Sequence, residues 1–177
     1  MFGLKKIISD VIVAKLEPEL LTLKSEFKKT EIADIPQVAI NRKMKVLAKG
    51  SDADTLRTQD IAEEIVVINP FSHSRVIVSD QKIASLVLRE FICTLYGRRH
   101  FLPRITMILH PPKARRGDVA DVESDALFKA CIEAGIRFPW IVMDSEAEFT
   151  AKSFKDGKQQ MIHMPLTEMY FRNKSNQ

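Results

Sequence analysis

The 177-residue sequence lacks any apolar run long enough to span a membrane. Its amino terminus also lacks the uninterrupted hydrophobic stretch and small-residue cleavage site of a signal peptide. Cysteine is scarce: Cys93 and Cys131 both fall in apolar segments, and neither has a second cysteine or a histidine at metal-ligand spacing. We therefore expect a cytoplasmic protein with two reduced, buried thiols and no metal site.

Strong charge of one sign is absent as well. The net charge of +4 and the pI of about 9.1 are mild, and they do not require an anionic partner. Two basic clusters, 98–100 and 113–116, lie before and after one predicted strand, so they belong at opposite ends of a sheet. Because they form no continuous stripe interleaved with stacking aromatic residues, we expect no nucleic-acid partner.

Two apolar periodicities divide the chain into strands and helices. Short apolar runs predict strands over 7–14, 20–24, 37–41, 45–48, 65–68, 105–109 and 140–143, with an edge strand over 161–164. Helical spacing predicts helices over 52–58, over 83–95 between a cap at Ser79 or Asp80 and a stop at Gly97, over 122–134, and from Ser145. The break at 15–19 predicts a hairpin. Strands followed by alternating strands and helices predict one α/β domain whose later strands are parallel.

In this order the segments resemble the first domain of MreB, the rod-shape-determining bacterial actin-like protein. Residues 35–42 (IPQVAINR) are similar to the family's EPSVVAIR, and residues 46–53 (VLAKGSDA) are similar to its VAAVGHDA. Residues 68–70 resemble IRP, residues 103–105 resemble PRV, and Val122-Glu123 falls in register with the family's VERR helix. The resemblance implies a ribonuclease H-like, actin-like mixed sheet with helices on both faces over 1–154, and it leaves an unassigned extension over 155–177.

The chain departs from this family at the first phosphate loop. Actin-like ATPases have DLGTANT between their first two strands, where an acid organises magnesium and small residues let backbone N–H groups approach phosphates. This sequence has Lys15, Leu16, Glu17, Pro18 and Glu19 there. Proline contributes no N–H, and carboxylates repel phosphate oxygens in a partly desolvated cleft. We therefore expect no nucleotide or other cofactor.

Two further departures favour a protein without catalytic residues. Glu123 matches the family's water-positioning glutamate, but with no phosphates to serve we interpret it as a first-turn acid that the helix dipole favours. Residues 143–145 (MDS) replace the family's EEP near the adenosine side. The chain also ends about where the family's second domain begins, so we expect no closed two-lobed nucleotide clamp.

The first eight residues resemble the amphipathic membrane anchor of some MreB proteins. Apolar side chains would enter the lipid interface, and lysines would meet anionic headgroups. The alternative is a frayed start to the first strand, because Gly3 weakens a helix. The proposed contact residues are Phe2, Leu4, Lys5, Lys6, Ile7 and Ile8.

Three functions stay open at the level of sequence. The first is a non-enzymatic protein of the bacterial actin-like cytoskeleton or of cell shape, in the cytoplasm or at the inner face of the membrane, which binds an MreB filament, an envelope protein or itself. The second is an anion- or phospholigand-binding module that uses Lys113, Arg115 and Arg116 before the helix that starts over 118–123. The third is an ATPase, which the altered phosphate loop disfavours.

Overall fold

The computed structural model describes residues 9–57, 65–97, 104–115, 119–142 and 162–163. The helices are α1 (Asp52–Arg57), α2 (Gln81–Tyr96) and α3 (Asp121–Glu133), and a 3-10 turn covers Lys113–Arg115. The strands are β1 (Ser9–Leu16), β2 (Leu21–Ser25), β3 (Thr30–Asp34), β4 (Val38–Asn41), β5 (Val46–Lys49), β6 (Ile65–Ile68), β7 (Arg104–His110), β8 (Phe138–Val142) and β9 (Ile162–His163).

Six strands form a mixed sheet in the order β3-β2-β1-β7-β8-β9. The central strands β1, β7 and β8 are parallel, and β2, β3 and β9 run antiparallel to their neighbours. The predicted mixed sheet with parallel later strands is therefore confirmed. The carboxyl ends of β1 and β7 lie side by side, because Lys15 on β1 is in register with His110 on β7.

A second sheet has three antiparallel strands in the order β5-β4-β6, and α1 packs against all three. The sequence predicts these strands but not that they form a sheet of their own. The strand β3 is missing from the sequence-based prediction altogether. Its mostly exposed and polar residues lack the apolar run by which the other strands are recognised.

The main core cluster lies on one face of the large sheet, although Ile108 and His110 of β7 are buried on the opposite face. On β1, Ile12, Ala14 and Leu16 are fully buried whereas Lys15 is exposed, which is the two-residue period of a strand that packs on one side. These side chains join buried residues of α2 and α3 in a single cluster, so both long helices lie on the same face. Each buried leucine or isoleucine contributes about 1.5–3 kcal/mol of transfer free energy.

Both predicted ends of α2 are confirmed. The Asp80 side chain accepts the Ile83 N–H at 2.9 Å, and Gly97 ends the helix in the left-handed conformation with φ of 66°. The Lys28 ammonium then donates to the carbonyls of Leu95 (3.2 Å) and Tyr96 (3.0 Å). A cation therefore binds the carbonyls at the negative end of the helix dipole.

A buried carboxylate, Asp10, joins α2 to the first two strands. It accepts hydrogen bonds from the Ser25 and Tyr96 hydroxyls and from the Phe27 N–H, the last at 2.9 Å. Burial first, and then the Asp10 carboxylate, raise the pKa of Tyr96 far above its usual range. The phenol therefore stays protonated and keeps its hydrogen bond to Asp10.

Both cysteines are buried, as predicted, and burial raises the pKa of the Cys131 thiol to about 12. Other predicted features lie outside the described residues. These are the amino-terminal segment 1–8, the basic cluster 98–100, Arg116, the residues 143–144, and the helix from Ser145.

Candidate functional site

The sequence resemblance places the family's first phosphate loop at the β1–β2 hairpin. Glu17 and Leu20 exchange both backbone hydrogen bonds, at 2.9 and 3.2 Å, so Pro18 and Glu19 form a two-residue turn. The fixed negative φ of proline excludes the primed turns usual in such hairpins, and Glu19 also has negative φ. The tip therefore presents a carboxylate at Glu19 and an apolar side chain at Leu20, which is 47% exposed.

Two hydrogen bonds fix this hairpin to neighbouring loops. The Glu17 carboxylate accepts the Lys113 N–H at 3.0 Å, and the Asn69 amide donates to the Pro18 carbonyl at 2.7 Å. Asn69 is itself fixed, because its side-chain oxygen accepts the Phe71 N–H at 2.9 Å. The backbone N–H at the start of the 3-10 turn is thus bound by a carboxylate of the protein itself.

In the sequence resemblance, Lys15 stands at the position of the family's magnesium-organising acid. It is exposed near the carboxyl end of β1, in register with Thr22 on one side and His110 on the other. An ammonium group has no lone pair with which to bind a metal cation. Among the described residues, no group of three or more His, Cys, Asp or Glu side chains is arranged to hold a metal ion.

Glu123 lies in the first turn of α3, where all of its acceptor capacity is in use. One oxygen accepts the Ile77 N–H at 3.0 Å, the other accepts the Ala120 N–H at 3.3 Å, and Arg115 binds both oxygens at 3.1 Å. The sequence predicts the first-turn acid but misses its Arg115 partner. The sequence shows only that Arg115 lies eight residues before Glu123, and this spacing does not predict a contact across a loop.

Of the three residues of the sequence-predicted anion site, the structure describes Lys113 and Arg115, and these two differ in their contacts. Lys113 and Arg115 lie on the same 3-10 turn, and Lys113 has an exposed side chain. Arg115 is bound to Glu123 and also donates to the Arg75 carbonyl at 3.1 Å. Its charge is therefore neutralised within the fold, and anion binding at this turn stays a prediction.

Comparison with known proteins gives a clear result for structure only. No protein-family model and no curated protein matches the sequence. MreB5 of Spiroplasma citri, solved with ADP, matches over 75% of this chain and 37% of that chain, with 17% identity and a TM-score of 0.57. A non-polymerising MamK mutant bound to AMPPNP matches over 75% of this chain and 40% of that chain, with 12% identity and a TM-score of 0.58.

A MamK double helical filament matches to the same extent, over 76% of this chain and 40% of that chain, with 12% identity and a TM-score of 0.55. This chain thus spans well under half the length of each of these proteins. At such identities the likeness defines the fold. The MreB-type actin-like fold expected from the sequence resemblance is confirmed. None of the described helices is long and apolar enough to cross a membrane.

Proposed function

Starting from this actin-like fold, we propose that the chain is a non-enzymatic protein of the bacterial cytoskeleton or of cell shape. It acts by binding another protein, and an MreB filament is the first candidate. The observation that carries the proposal is the hairpin at Pro18, where the Glu17 carboxylate accepts the Lys113 N–H at 3.0 Å. The structurally similar proteins differ in nucleotide binding, because MreB5 is solved with bound ADP and the MamK mutant with bound AMPPNP.

Electrostatics at the hairpin supports the loss of nucleotide binding. A triphosphate brought to the turn would meet the carboxylates of Glu17 and Glu19, and like charges about 4 Å apart repel by about 4 kcal/mol near a protein surface. The turn also offers fewer donors, because Pro18 has no N–H and the Lys113 N–H is already bound to Glu17. A phosphate could accept the Lys113 N–H only if the Glu17–Lys113 hydrogen bond breaks.

The state of Glu123 supports the loss of catalysis in the same way. A carboxylate that positions a water needs a free acceptor and access to the cleft. Glu123 accepts two backbone N–H groups and a two-pronged contact from Arg115, and its side chain is only 13% exposed. We infer that Glu123 fixes the loop before α3 to the segment that precedes α2, because it accepts the N–H groups of Ala120 and Ile77.

Co-sedimentation tests the proposed partner. Purified full-length chain is mixed with polymerised MreB at increasing MreB concentration, and the fraction of the chain in the pellet is measured. We expect saturable depletion from the supernatant or a change in the assembly rate of MreB. If the chain neither pellets nor alters assembly, MreB is the wrong partner.

The place of action belongs to the same proposal: the cytoplasm, with contact at the inner membrane face through residues 1–8. Flotation with anionic vesicles tests this contact. We expect the full chain to float with the vesicles and a form lacking residues 1–8 to stay at the bottom. Equal flotation of both forms would exclude the segment as the anchor.

A further inference from the structure

The strand β3 is the outer edge of the six-stranded sheet. It pairs with β2 on one side, and no described strand lies on its other side. Such an edge offers unpaired backbone groups to any extended chain that approaches it.

The hydrogen-bond pattern shows which β3 groups face outwards. Because Glu17 and Leu20 form a hydrogen-bonded pair, alternate residues of β2 from Leu20 onwards bond to β1. The bond from the Glu26 N–H to the Val11 carbonyl, at 3.0 Å, follows the same alternation. The remaining residues of β2, at 21, 23 and 25, therefore bond to β3.

Their partners on β3 are Asp34, Ile32 and Thr30. The N–H and C=O groups of Glu31 and Ala33 consequently point away from the sheet. Within the described parts of the chain, no group forms a hydrogen bond to these outward backbone atoms.

Of the usual protections of an edge strand, β3 has its short length and two acidic residues, but it has no proline, lysine or bulge. Natural edges carry a proline, a bulge or an exposed lysine, or they are covered by another element. The five residues TEIAD include no proline and no lysine, and their pairing with β2 is regular. The only exposed charge, on Glu31, has Lys24 of the neighbouring strand at 4.0 Å.

We propose that a second copy of this chain pairs with the β3 edge, antiparallel and about a twofold axis at Ile32. In this register Glu31 of each copy lies opposite Ala33 of the other, and the two residues exchange both backbone hydrogen bonds. The interface therefore has four hydrogen bonds, and all outward groups of the strand are used. The two sheets join into one continuous sheet of twelve strands.

The side chains of β3 are self-complementary in this register. Ile32, which is partly buried against the core, meets Ile32 of the second copy in a non-hydrogen-bonded pair, where side chains approach most closely. Thr30 lies opposite Asp34, a hydroxyl opposite a carboxylate. No two like charges lie directly opposite each other, and a twofold contact closes at a dimer.

This dimer goes beyond the proposed function, and it depends on neither the altered hairpin nor the MreB partner. A single added strand pair is at the small end of specific interfaces, so we expect a dissociation constant on the order of 10–100 µM. Sedimentation velocity of the full chain over a range that brackets these values measures it.

Two variants at one position isolate the outward hydrogen bond. Ala33→Pro removes an N–H that β2 does not use, and proline is tolerated on an edge strand whose N–H faces solvent. Ala33→Val keeps the N–H and favours a strand. We expect dimerisation to weaken at least about tenfold in Ala33→Pro and to persist in Ala33→Val, with unchanged far-ultraviolet circular dichroism in both.

Cross-linking gives a second test that does not depend on how Ala33→Pro folds. Ile32→Cys places two thiols in direct opposition, and mild oxidation should yield a disulfide-linked dimer. Glu31→Cys is the matched control, because its two copies lie on a diagonal about 7–8 Å apart, which is too far for a disulfide. The native thiols are buried and should not interfere.

A chain that stays monomeric at the highest concentration overturns the proposal. So does a dimer that Ala33→Pro leaves unchanged, since this outcome places the contact on another surface, such as the β6 edge. Equal cross-linking of the Ile32→Cys and Glu31→Cys variants excludes the twofold register.

Discussion

The carboxylate of Asp34 lies directly over the α-carbon of Gly50, where any β-carbon would overlap it. Asp34 accepts the Ile35 N–H at 2.8 Å and the Ser51 N–H at 2.9 Å, so it is fixed at the end of β3. Gly50 in turn exchanges hydrogen bonds with Gln37, at 2.9 Å and 3.0 Å. This contact joins the six-stranded sheet to the small sheet, and only glycine fits it.

Substitution of Gly50 by alanine should therefore destabilise the fold strongly. The left-handed φ of 58° costs about 1–2 kcal/mol for a residue with a β-carbon. Displacement of Asp34 adds about 1–3 kcal/mol, because its hydrogen bonds to the partly buried Ile35 N–H and to the exposed Ser51 N–H are both lost, at about 0.5–1.5 kcal/mol each. Urea denaturation measures the sum.

Gly97 provides the matched control for this substitution. It has a similar φ of 66°, but none of the residues that the structure describes lies within 4 Å of the position of its β-carbon. Gly97→Ala should lose only the conformational part, about 1–2 kcal/mol. Equal losses in the two variants would show that the contact with Asp34 is unimportant.

The Arg115–Glu123 pair should contribute more than an ordinary surface pair. Both side chains are at least two-thirds buried and the contact has two hydrogen bonds, so we expect a coupling free energy of about 1–2 kcal/mol from a double-mutant cycle with alanine. The pair Glu26–Lys29, whose lysine side chain is 76% exposed, should give less than about 0.5 kcal/mol. A coupling near zero for Arg115 and Glu123 would leave Arg115 available for an anion.

Some of this architecture could be predicted because its determinants are local. The helix α2 follows from its period together with Asp80 and Gly97, and each acts within one turn. The hairpin follows from Pro18 between two apolar runs.

The rest depends on contacts between distant parts of the chain. The residues of β3 form a strand only because β2 lies beside them, and their mostly exposed and polar pattern alone is that of a loop. Asp10 is buried because Ser25 and Tyr96 approach it from positions 15 and 86 residues away. Neither spacing leaves a periodic signal in the sequence.

Tyr96 should make stability depend on alkaline pH. Its pKa is raised in the folded protein, by burial first and by Asp10 second, whereas an unfolded tyrosine titrates near 10. The unfolded state therefore loses its proton first, so the stability that Tyr96 contributes is complete below about pH 10 and falls as the pH rises further.

Tyr96→Phe tests this linkage. At neutral pH the variant should be less stable by about 1–3 kcal/mol, because the buried Asp10 carboxylate loses a donor. Above about pH 10 its stability should fall less steeply than that of the parent. Parallel slopes in the two proteins would mean that Tyr96 titrates normally in the folded state.

Calorimetric titration of the full chain with Mg²⁺ and ATP is the most direct test of the loss of nucleotide binding. We predict no saturable heat up to about 1 mM nucleotide. The Glu17 carboxylate repels the phosphates and occupies the Lys113 N–H, and Pro18 has no N–H to donate. Micromolar binding accompanied by ATP turnover would contradict the account.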